Sequence, residues 1–354
     1  MSAGRIAVVL PSRESFTELK SGAVALCARD FARFSRYADR IDIVGAGPCE
    51  YGDVSYRRLE GWRRWLRRDR DAYAQAVAAA VGDSALVETQ NRPLTALALR
   101  RALNGPKLAL HLHNDPQTMD GSRRAAERAR LLEACDAVYC VSEFVRSRFL
   151  DGVSDLSGKT VAIPNGVVLA RRPTPKQPIV AFTGRVIAAK GVAELVRAFA
   201  AARLDGWRLV LAGGDPQGLL RRLGRERAAL GDRFIWLGQI SHAEALALLD
   251  RAEIAAAPSV WDEPFARAAV EAMACGAALI ASRRGALPEV CGEAAAFVEP
   301  GDISGFAEAL RRLAEDDACR RDLQAAGRAR AEAFAIEKTT ARLDVARALL
   351  LGEA

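Results

Sequence analysis

The chain has 354 residues, of which half are hydrophobic, and it carries a formal net charge of +7. Because a single hydrophobic core stops growing at roughly 250–300 residues, this length predicts two domains, and the apolar content excludes a wholly disordered chain. The basic excess favours an anionic partner, which can be a phosphorylated substrate, an anionic lipid surface or nucleic acid.

Short apolar or β-branched runs alternate with amphipathic stretches rich in alanine, leucine and arginine. This alternation is typical of repeated βα units, which build parallel sheets. It predicts five strands in the first half, at Arg5–Leu10, Ile41–Val44, Ala85–Glu88, Leu108–His111 and Ala137–Val141. Five more are predicted in the second half, at Ile179–Thr183, Arg208–Ala212, Phe234–Leu237, Ile254–Ala257 and Ala277–Ala281.

The proline-rich stretch Arg171–Pro178 separates the two sets of strands and predicts a linker, because proline cannot continue a helix or a central strand. We expect a first Rossmann-like domain over residues 1–170, a second over residues 178–335 and a helix over residues 336–354 that packs back on the first. Ligands of open α/β sheets bind beyond the carboxyl ends of the strands, so two facing sheets would share one cleft. The sequence has neither a G-x-G-x-x-G turn after the first strand nor a P-loop, which disfavours a simple dehydrogenase or NTPase.

Arginines and tryptophans alternate in the segment Arg57–Arg70. Trp62, Trp65 and Leu66 have the i, i+3, i+4 spacing of one helical face, and arginines flank them. Such a face suits an anionic membrane surface, where arginine attraction supplements tryptophan burial. The alternative is an ordinary amphipathic helix that packs its tryptophans on the first sheet, and Gly61 disfavours a long helix.

Two polar loops follow predicted strands of the first half and end in proline, namely Glu88–Pro93 and His111–Pro116. Both are expected to lie at the edge of the sheet where ligands bind. Because side chains alternate along a strand, His111 and His113 face the same side while both remain in it. Either can be an ordinary structural histidine. We prefer His113 as the functional one because it lies nearer the strand end.

The segment Phe182–Gly191 carries a strand into a glycine turn and brings Arg185 and Lys190 to the carboxyl edge of the second sheet. An arginine can bind two phosphate oxygens at once and a lysine supplies a point charge, so together they suit a departing diphosphate. The alternative is a solvated surface pair, which is common in a chain this rich in arginine.

The stretch Pro258–Gly276 places Glu263 and Glu271 eight residues apart. Pro264 suits the first position of a helix and Gly276 the position after its end, which puts Glu263 at a helix N-terminus, where an anion or a hydroxyl-rich ligand is favoured. Glu271 would then lie about 12 Å along the axis, rotated by about 80°, so both carboxylates can face one elongated nucleotide sugar. Alternatively, Glu263 only caps the helix and Glu271 is a solvated helical residue.

The seven cysteines are scattered and form no C-x-x-C pair, so we expect reduced thiols that mostly fill the core. No carboxylate lies at metal-ligand spacing from any of the three histidines. The sequence therefore predicts neither a protein-held metal nor a cofactor. It also has no apolar run of roughly 18 residues and no signal-peptide core at its start, which predicts a cytoplasmic protein.

Together these residues resemble the family-4 retaining glycosyltransferases of the GT-B fold, also called glycosyl transferases group 1. The stretch from Glu263 through Glu271 to Gly276 is similar to the family's Glu-x7-Glu signature, and Gly184–Gly191 is similar to its diphosphate-binding segment. Supporting similarities occur at Val141–Phe144, Ile163–Val167, Ala212–Gly214, Leu237–Gly238 and Pro288–Val290. The resemblance covers nearly the whole chain.

The resemblance implies an α/β protein with two Rossmann-like doubly wound domains facing a central cleft, the first binding the acceptor and the second the nucleotide sugar. It implies catalytic roles for His113, Arg185, Lys190 and Glu263. It implies donor binding at Ser21, Gly22, Gly184, Arg185, Lys190, Gly214, Glu263, Phe265, Ala266 and Glu271, and acceptor binding at Asn91, Arg92 and Asn114.

Within that implied site, Arg185 and Lys190 would hold the diphosphate. Glu271 would bind the ribose and Glu263 the donor sugar near the reacting carbon, while backbone N–H groups of Phe265 and Ala266 cradle the donor. The sequence departs from the family pattern at Ser21-Gly22, where the family often has Gly-Gly, and at Ala266, where glycine is usual. These departures concern the fit around the phosphates and the donor sugar.

The implied reaction is metal-independent transfer of a hexose, with retention, from a nucleotide diphosphate sugar to a hydroxyl of a glycan or glycolipid. The expected setting is synthesis of lipopolysaccharide, capsule or another surface polysaccharide, in the cytoplasm or peripherally on the inner face of the membrane. A GT-B nucleotide-sugar epimerase is the alternative within enzymes. A basic nucleic-acid-binding protein is the alternative of another class, although acidic residues interrupt the basic ones and no recognition motif occurs.

Overall fold

The computed structural model describes residues 4–59, 70–169 and 174–353. The chain forms two compact units. The first consists of Met1–Gly166 together with Ile336–Ala354, and the second is continuous over Val167–Ala335.

The first unit is built on a parallel sheet of seven strands, as far as the described residues go. In chain order the strands are β1 (Arg5–Val9), β2 (Ile41–Gly45), β3 (Tyr56–Arg58), β4 (Ser84–Gln90), β5 (Lys107–Leu112), β6 (Ala137–Cys140) and β7 (Thr160–Ala162). Their order across the sheet is β3-β2-β1-β4-β5-β6-β7. The helices described between them are α1 (Ala23–Arg33), α2 (Arg70–Ala80), α3 (Pro93–Ala102), α4 (Ala125–Ala134) and α5 (Glu143–Leu150).

The second unit repeats this plan with a parallel sheet of six strands among its described residues. The strands are β8 (Gln177–Thr183), β9 (Arg208–Ala212), β10 (Phe234–Trp236), β11 (Ala252–Ala257), β12 (Ala278–Ser282) and β13 (Ala295–Val298), in the spatial order β10-β9-β8-β11-β12-β13. The helices are α6 (Val192–Ala202), α7 (Leu219–Arg222), α8 (Gly224–Leu230), α9 (His242–Arg251), α10 (Arg267–Ala274), α11 (Leu287–Cys291), α12 (Ile303–Glu315) and α13 (Asp317–Ala331).

The last helix, α14 (Ile336–Leu351), returns to the first unit. Arg347 of this helix donates from Nε and Nη2 to the two carboxylate oxygens of Glu88 in β4, at 2.8 and 2.7 Å. Its Nη1 donates to Asp344 at 3.0 Å and to Ser35 at 3.1 Å. Because Glu88 and Arg347 are each 1% exposed, this bidentate pair ties α14 to the sheet through a network closed to solvent.

The predicted fold class is confirmed, and each of the ten predicted strands overlaps an observed one. The prediction missed β3, β7 and β13, which are three or four residues long and lie at sheet edges. Such short edge strands lack the continuous apolar run of strands that are buried on both faces.

Two segments need a separate comment. The predicted linker is wrong at its end, because Gln177 and Pro178 belong to β8, and proline is tolerated at the start of a strand. Residues 170–173 of that stretch lie outside the described residues. Trp62, Trp65 and Leu66 also lie outside them, so the interpretation of Arg57–Arg70 as a membrane-binding segment stays a prediction.

The strand order of each sheet reverses direction once, between β1 and β4 in the first unit and between β8 and β11 in the second. In open α/β sheets, ligands bind beyond the carboxyl ends of the strands at such a reversal. The segments that follow these four strands include both polar loops of the first half and the charged residues of the second.

Candidate active site

Glycine allows the segments after β8 and β11 to lie against each other. Gly191 has a φ of +67°, and a Cβ at this position would lie 1.8 Å from the carbonyl oxygen of Pro258, which is closer than any side chain permits. The backbone N–H of Val260 donates to the carbonyl of Ala189 at 3.0 Å. The segment that carries Arg185 and Lys190 is therefore fixed beside the segment that carries Glu263.

Glu263 is the most buried carboxylate of this region, with only 4% of its side chain exposed. Its Oε1 accepts from Lys190 Nζ at 2.6 Å, from Trp261 Nε1 at 3.0 Å and from the hydroxyl of Ser259. The Lys190 ammonium also lies 5.5 Å from the centre of the Trp261 ring. The lysine that was predicted to bind phosphate is thus already paired with the carboxylate that was predicted to bind the sugar.

Helix α10 begins later than predicted. Pro264 is not its first residue, because the helix starts at Arg267 after Ala266, which has a φ of +65°. The turn before it is fixed from outside: Ala286 N–H donates to the carbonyl of Glu263 at 2.7 Å, and a Cβ on Gly285 would lie 2.3 Å from the Glu263 nitrogen. Glu263 therefore lies in an irregular turn before the helix, whereas the predicted end of the helix is confirmed by Gly276 with a φ of +71°.

Glu271 lies inside α10 and is held by two donors. Arg267 Nε, one turn earlier in the helix, and His242 Nε2, at the start of α9, each lie 2.7 Å from its Oε1. Burial would raise the pKa of Glu271, but the charge of Arg267 and the hydrogen bond from His242 outweigh burial and lower the pKa to about 2. Glu271 is therefore a fixed, ionised carboxylate at neutral pH.

Arg185 differs from Lys190 because its side chain is exposed and forms no ion pair with any described residue. Its neighbours are close-packed glycine turns: a Cβ on Gly213 would lie 1.8 Å from the Gly184 oxygen, and Gly214 accepts from Val186 N–H at 2.9 Å. Gly214 N–H donates to the side-chain oxygen of Gln239 at 3.1 Å. The turn thus presents one uncompensated cation.

The amides at the start of α10 are also available. The N–H groups of Phe265 and Ala266 donate to none of the described residues, as is usual where a helix begins. The Phe265 ring is buried and packs edge-on against Phe334, with the ring centres 5.5 Å apart. Its side chain therefore anchors the backbone that presents these N–H groups.

In the first unit, His113 directly follows β5 and is tied to the segment after β4. Its Nε2 lies 2.8 Å from the Gln90 side-chain oxygen, and its backbone N–H donates to the Asn91 side chain at 3.1 Å. Burial, with a smaller contribution from His111, lowers the pKa of His113 well below its ordinary value, so the ring is neutral at physiological pH. Asn91, predicted to bind the acceptor, is buried with a φ of +55° and uses its side chain to hold His113.

His111 stays inside β5, as the two-residue period predicts for the same face, and its ring centre is 5.3 Å from that of His113. It is enclosed by Phe31 and Tyr139, with ring centres at 6.0 and 5.1 Å. Its Nε2 has no hydrogen-bond partner among the described residues. Burial lowers the pKa of His111 to about 3, with a smaller contribution from Arg347, so His111 is a neutral core residue.

The predicted loop before α1 is already in contact with a carboxylate. Gly22 N–H donates to Glu14 Oε1 at 3.1 Å, and Ser21 donates to the carbonyl of Ser15 at 3.3 Å. Burial raises the pKa of Glu14, although Gly22 N–H and the charge of Arg92 oppose that shift. Arg92 is exposed, and Asn114 is half-buried. Glu14 therefore links the predicted donor loop to a predicted acceptor residue.

Several residues that hold the predicted site were not identified from the sequence. They are Glu14, Gln90, His242, Ser259, Trp261 and Arg267. The i, i+4 spacing of Arg267 and Glu271 is a local signal that would have identified one pair. The contact of His242 with Glu271 joins residues 29 positions apart in different helices, and no sequence pattern encodes it.

A search of the described residues gives three further findings. They contain no group of three or more His, Cys, Asp or Glu side chains arranged to hold a metal ion. None of their helices combines the length and apolarity needed to cross a bilayer. An open cavity of about 650 Å³ in the second unit is lined by residues that include Gln217, Arg221 and Trp236, but by none of the predicted donor residues.

Two parallel doubly wound units, the second carrying paired glutamates at its sheet reversal, define a protein of the GT-B type. The model of Glycosyltransferase Family 4 matches residues 23–171, and that of Glycosyl transferases group 1 matches residues 170–330. The chain belongs to glycosyltransferase family 4, and the predicted resemblance is confirmed.

Curated relatives match parts of this chain. Glycogen synthase of Mycobacterium tuberculosis (strain CDC 1551 / Oshkosh) is 33% identical over 184 residues, which are 48% of this chain and 44% of that protein. D-inositol 3-phosphate glycosyltransferase of Mycolicibacterium smegmatis is 30% identical over 281 residues, which are 74% of this chain and 60% of that protein. The chain thus spans about half the length of these relatives.

Solved structures match nearly the whole chain. Anabaena HepE in complex with UDP and glucose has a TM-score of 0.80 at 17% identity, covering 98% of this chain and 100% of that one. Sucrose-phosphate synthase from Thermosynechococcus elongatus has a TM-score of 0.80 at 23% identity, covering 99% and 100%. At these identities the similarity shows the fold alone.

Proposed function

We propose that this chain is a retaining glycosyltransferase that moves a hexose from a nucleotide diphosphate sugar to a hydroxyl acceptor without a bound metal. The observation that carries the proposal is the arrangement at the sheet reversal of the second unit. There, the buried Glu263–Lys190 pair lies beside the exposed Arg185, and an ionised Glu271 is held in the helix that follows.

In the proposed reaction, the bond between the sugar's anomeric carbon and the diphosphate breaks, and the diphosphate leaves with the electron pair. The acceptor hydroxyl forms the new bond to the anomeric carbon and loses its proton. Negative charge grows on the diphosphate, and we assign its neutralisation to Arg185, Lys190 and the N–H groups of Phe265 and Ala266. Glu263 binds the sugar hydroxyls, and Glu271 binds the ribose.

The Glu263–Lys190 pair refines these roles. Because Lys190 Nζ already donates to Glu263, an arriving diphosphate meets a neutral pair and one free cation, Arg185. Arg185 therefore makes the first contact with the diphosphate. Lys190 shares its remaining donors between the leaving group and Glu263, which couples the sugar position to the phosphate position.

The first unit supplies the acceptor side. A neutral His113 can accept or donate a hydrogen bond to a sugar hydroxyl but brings no charge, and Arg92 and Asn114 are the nearby polar side chains that we assign to the acceptor. We propose a glycan or glycolipid acceptor in surface-polysaccharide synthesis. The proposed location is the cytoplasm or the inner face of the membrane.

The test is to incubate the protein with UDP-, ADP- and GDP-hexoses and a panel of hydroxyl acceptors, with EDTA present, and to analyse products by NMR. The proposal expects transfer with the donor's anomeric configuration retained. An inverted product, or activity that is lost in EDTA and restored by Mg²⁺ or Mn²⁺, contradicts it. Epimerised donor without acceptor favours the epimerase, and salt-dependent duplex binding with a sequence or shape preference favours the nucleic-acid-binding protein.

A further inference from the structure

His242 occupies a rigid position at the start of α9. Ser241, the residue before it, accepts from Glu244 N–H at 3.3 Å, while Ser241 N–H donates to the Glu244 carboxylate at 2.8 Å. This reciprocal capping box fixes the backbone from which the His242 side chain extends. The imidazole is therefore attached to a helix start with little freedom to move.

The other end of this contact is the carboxylate of Glu271. An ionised carboxylate can only accept hydrogen bonds, so at neutral pH His242 Nε2 is the donor in its 2.7 Å contact with Oε1. Arg267 Nε donates to the same oxygen from the opposite partner helix, α10. No described residue donates to the second oxygen, Oε2.

Two donors on one oxygen restrict how the carboxylate can turn. An arginine alone tends to take both oxygens of a carboxylate through parallel hydrogen bonds. With His242 drawing Oε1 toward α9, Glu271 cannot turn to give both oxygens to Arg267 and keep this hydrogen bond. Oε2 is then left for a ligand.

We infer that His242 is a positioning residue that, together with Arg267, fixes Glu271 so that Oε2 accepts from the ribose hydroxyls of the nucleoside diphosphate. The inference rests on the proposed function, because it concerns the same donor site. It assigns discrimination between ribose and 2′-deoxyribose to a histidine that makes no contact with the sugar itself. It also gives a reason for the capping box, which holds that histidine in place.

The test measures binding of UDP, ADP and GDP and of their 2′-deoxy counterparts to the full chain by calorimetry, in the wild type and in His242→Ala. For the nucleotide that binds, we expect the ribose-over-deoxyribose preference to fall about tenfold, the usual effect of one hydrogen bond to a charged group. A merely structural role would weaken both members of a pair equally and leave the ratio unchanged.

Two further variants give the chemical control. In His242→Gln, a side-chain N–H can reach the position of Nε2 and should restore the ratio, whereas the shorter His242→Asn should not. Arg251→Ala, at the other end of α9, should leave the ratio as in the wild type. If His242→Ala fails to fold, the Gln and Asn variants decide the question.

The outcomes separate the inference from the proposed function. If the wild type binds none of the three nucleoside diphosphates, the proposed function fails, and the inference fails with it. If it binds one of them and all His242 variants keep the wild-type ratio, the positioning role is overturned while the donor site stands. A loss of the ratio in the Ala and Asn variants, with recovery in the Gln variant, supports it.

Discussion

Each unit contains a buried carboxylate paired with a cation, but the two pairs differ in what remains accessible. In the first unit, Glu88 and Arg347 are both 1% exposed, and Asp344 and Ser35 take up other donors of the arginine. In the second unit, Glu263 is as deeply buried, yet Lys190 keeps 23% of its side chain exposed. The difference shows that a buried ion pair by itself does not mark a site. A pair with a reachable cation, beside a second free one, can bind an anion.

The largest expected effect tests the closed pair. Arg347→Met leaves Glu88 and Asp344 buried without their cation, and removing one partner of a buried pair typically destabilises a protein by about 3–5 kcal/mol. We expect a loss of this size in the free energy of unfolding of the first unit, measured by urea denaturation with hydrogen exchange to assign the unit.

Arg342→Met, on the exposed face of the same helix, is the matched control and should change stability by no more than about 0.5 kcal/mol. If both variants behave alike, the pair contributes no more than a surface arginine. The double variant Glu88→Gln/Arg347→Met should recover part of the loss, since no charge of the pair is then left alone.

The next prediction separates the units by pH. His111 has a folded-state pKa of about 3 and is neutral when buried, whereas in the unfolded chain it takes up a proton below about pH 6.5. Stability is therefore complete above that pH and falls as the pH decreases toward 3. By linkage the difference at pH 5 is about 2 kcal/mol.

We expect His111→Phe to reduce the loss of stability between pH 7 and pH 5, measured by urea unfolding at both values. His113 contributes in the same direction and remains in the variant. Glu271, with a pKa of about 2, destabilises the second unit only below its unfolded value near 4.5. An unchanged difference between pH 7 and pH 5 would show that His111 does not cause the acid sensitivity.

A smaller effect distinguishes the two predicted phosphate-binding cations. Lys190→Ala removes one donor from the buried Glu263 but leaves Trp261 and Ser259, so we expect a loss of about 1–2 kcal/mol in stability. Arg185→Ala removes an exposed, unpaired side chain and should cost less than about 0.5 kcal/mol. Under the proposed function, turnover should fall by about 10²–10³ in each variant.

Thermal unfolding and steady-state kinetics of these two variants check both expectations. Equal stability losses would contradict the structural distinction between the paired and the free cation. Full activity of Arg185→Ala would remove this residue from the reaction.

The smallest effect concerns the turn before α10. Ala266 has a φ of +65°, a conformation that costs an L-residue about 1–2 kcal/mol, while glycine loses about 0.5–1 kcal/mol more backbone entropy on folding. Ala266→Gly should therefore stabilise the second unit by about 0.5–1 kcal/mol in thermal unfolding. Ala268→Gly, in the right-handed helix, should have the opposite sign. A destabilising Ala266→Gly would contradict the strain.

The sequence predicts buried strands well, because β1, β4 or β11 appear as apolar runs between turn residues. It misses β3, whose residues Tyr56–Arg58 have no such run and are recognised as a strand only by pairing with β2. The same distinction applies to the site. The sequence predicted that Lys190 and Glu263 lie at one sheet edge, and the topology places both segments there.

What the sequence could not give are contacts set by distant backbone. Pro264 has the local pattern of a helix start, yet Gly285 and Ala286 hold the preceding turn and the helix begins at Arg267. In the same way, nothing near Glu271 in the sequence indicates that His242 binds its carboxylate. The functional roles of the predicted residues stay predictions until the variants are measured.

The return of α14 to the first unit has a consequence for synthesis on the ribosome. The first unit lacks this helix until residues after 335 have been translated, although its sheet is complete by Ala162. At roughly 5–20 residues per second, the nascent first unit waits on the order of ten to thirty seconds. During that time Glu88 has no Arg347, while the continuous second unit can already fold. A ribosome stalled before residue 336 should therefore release a chain whose second unit resists protease and whose first unit depends on chaperones.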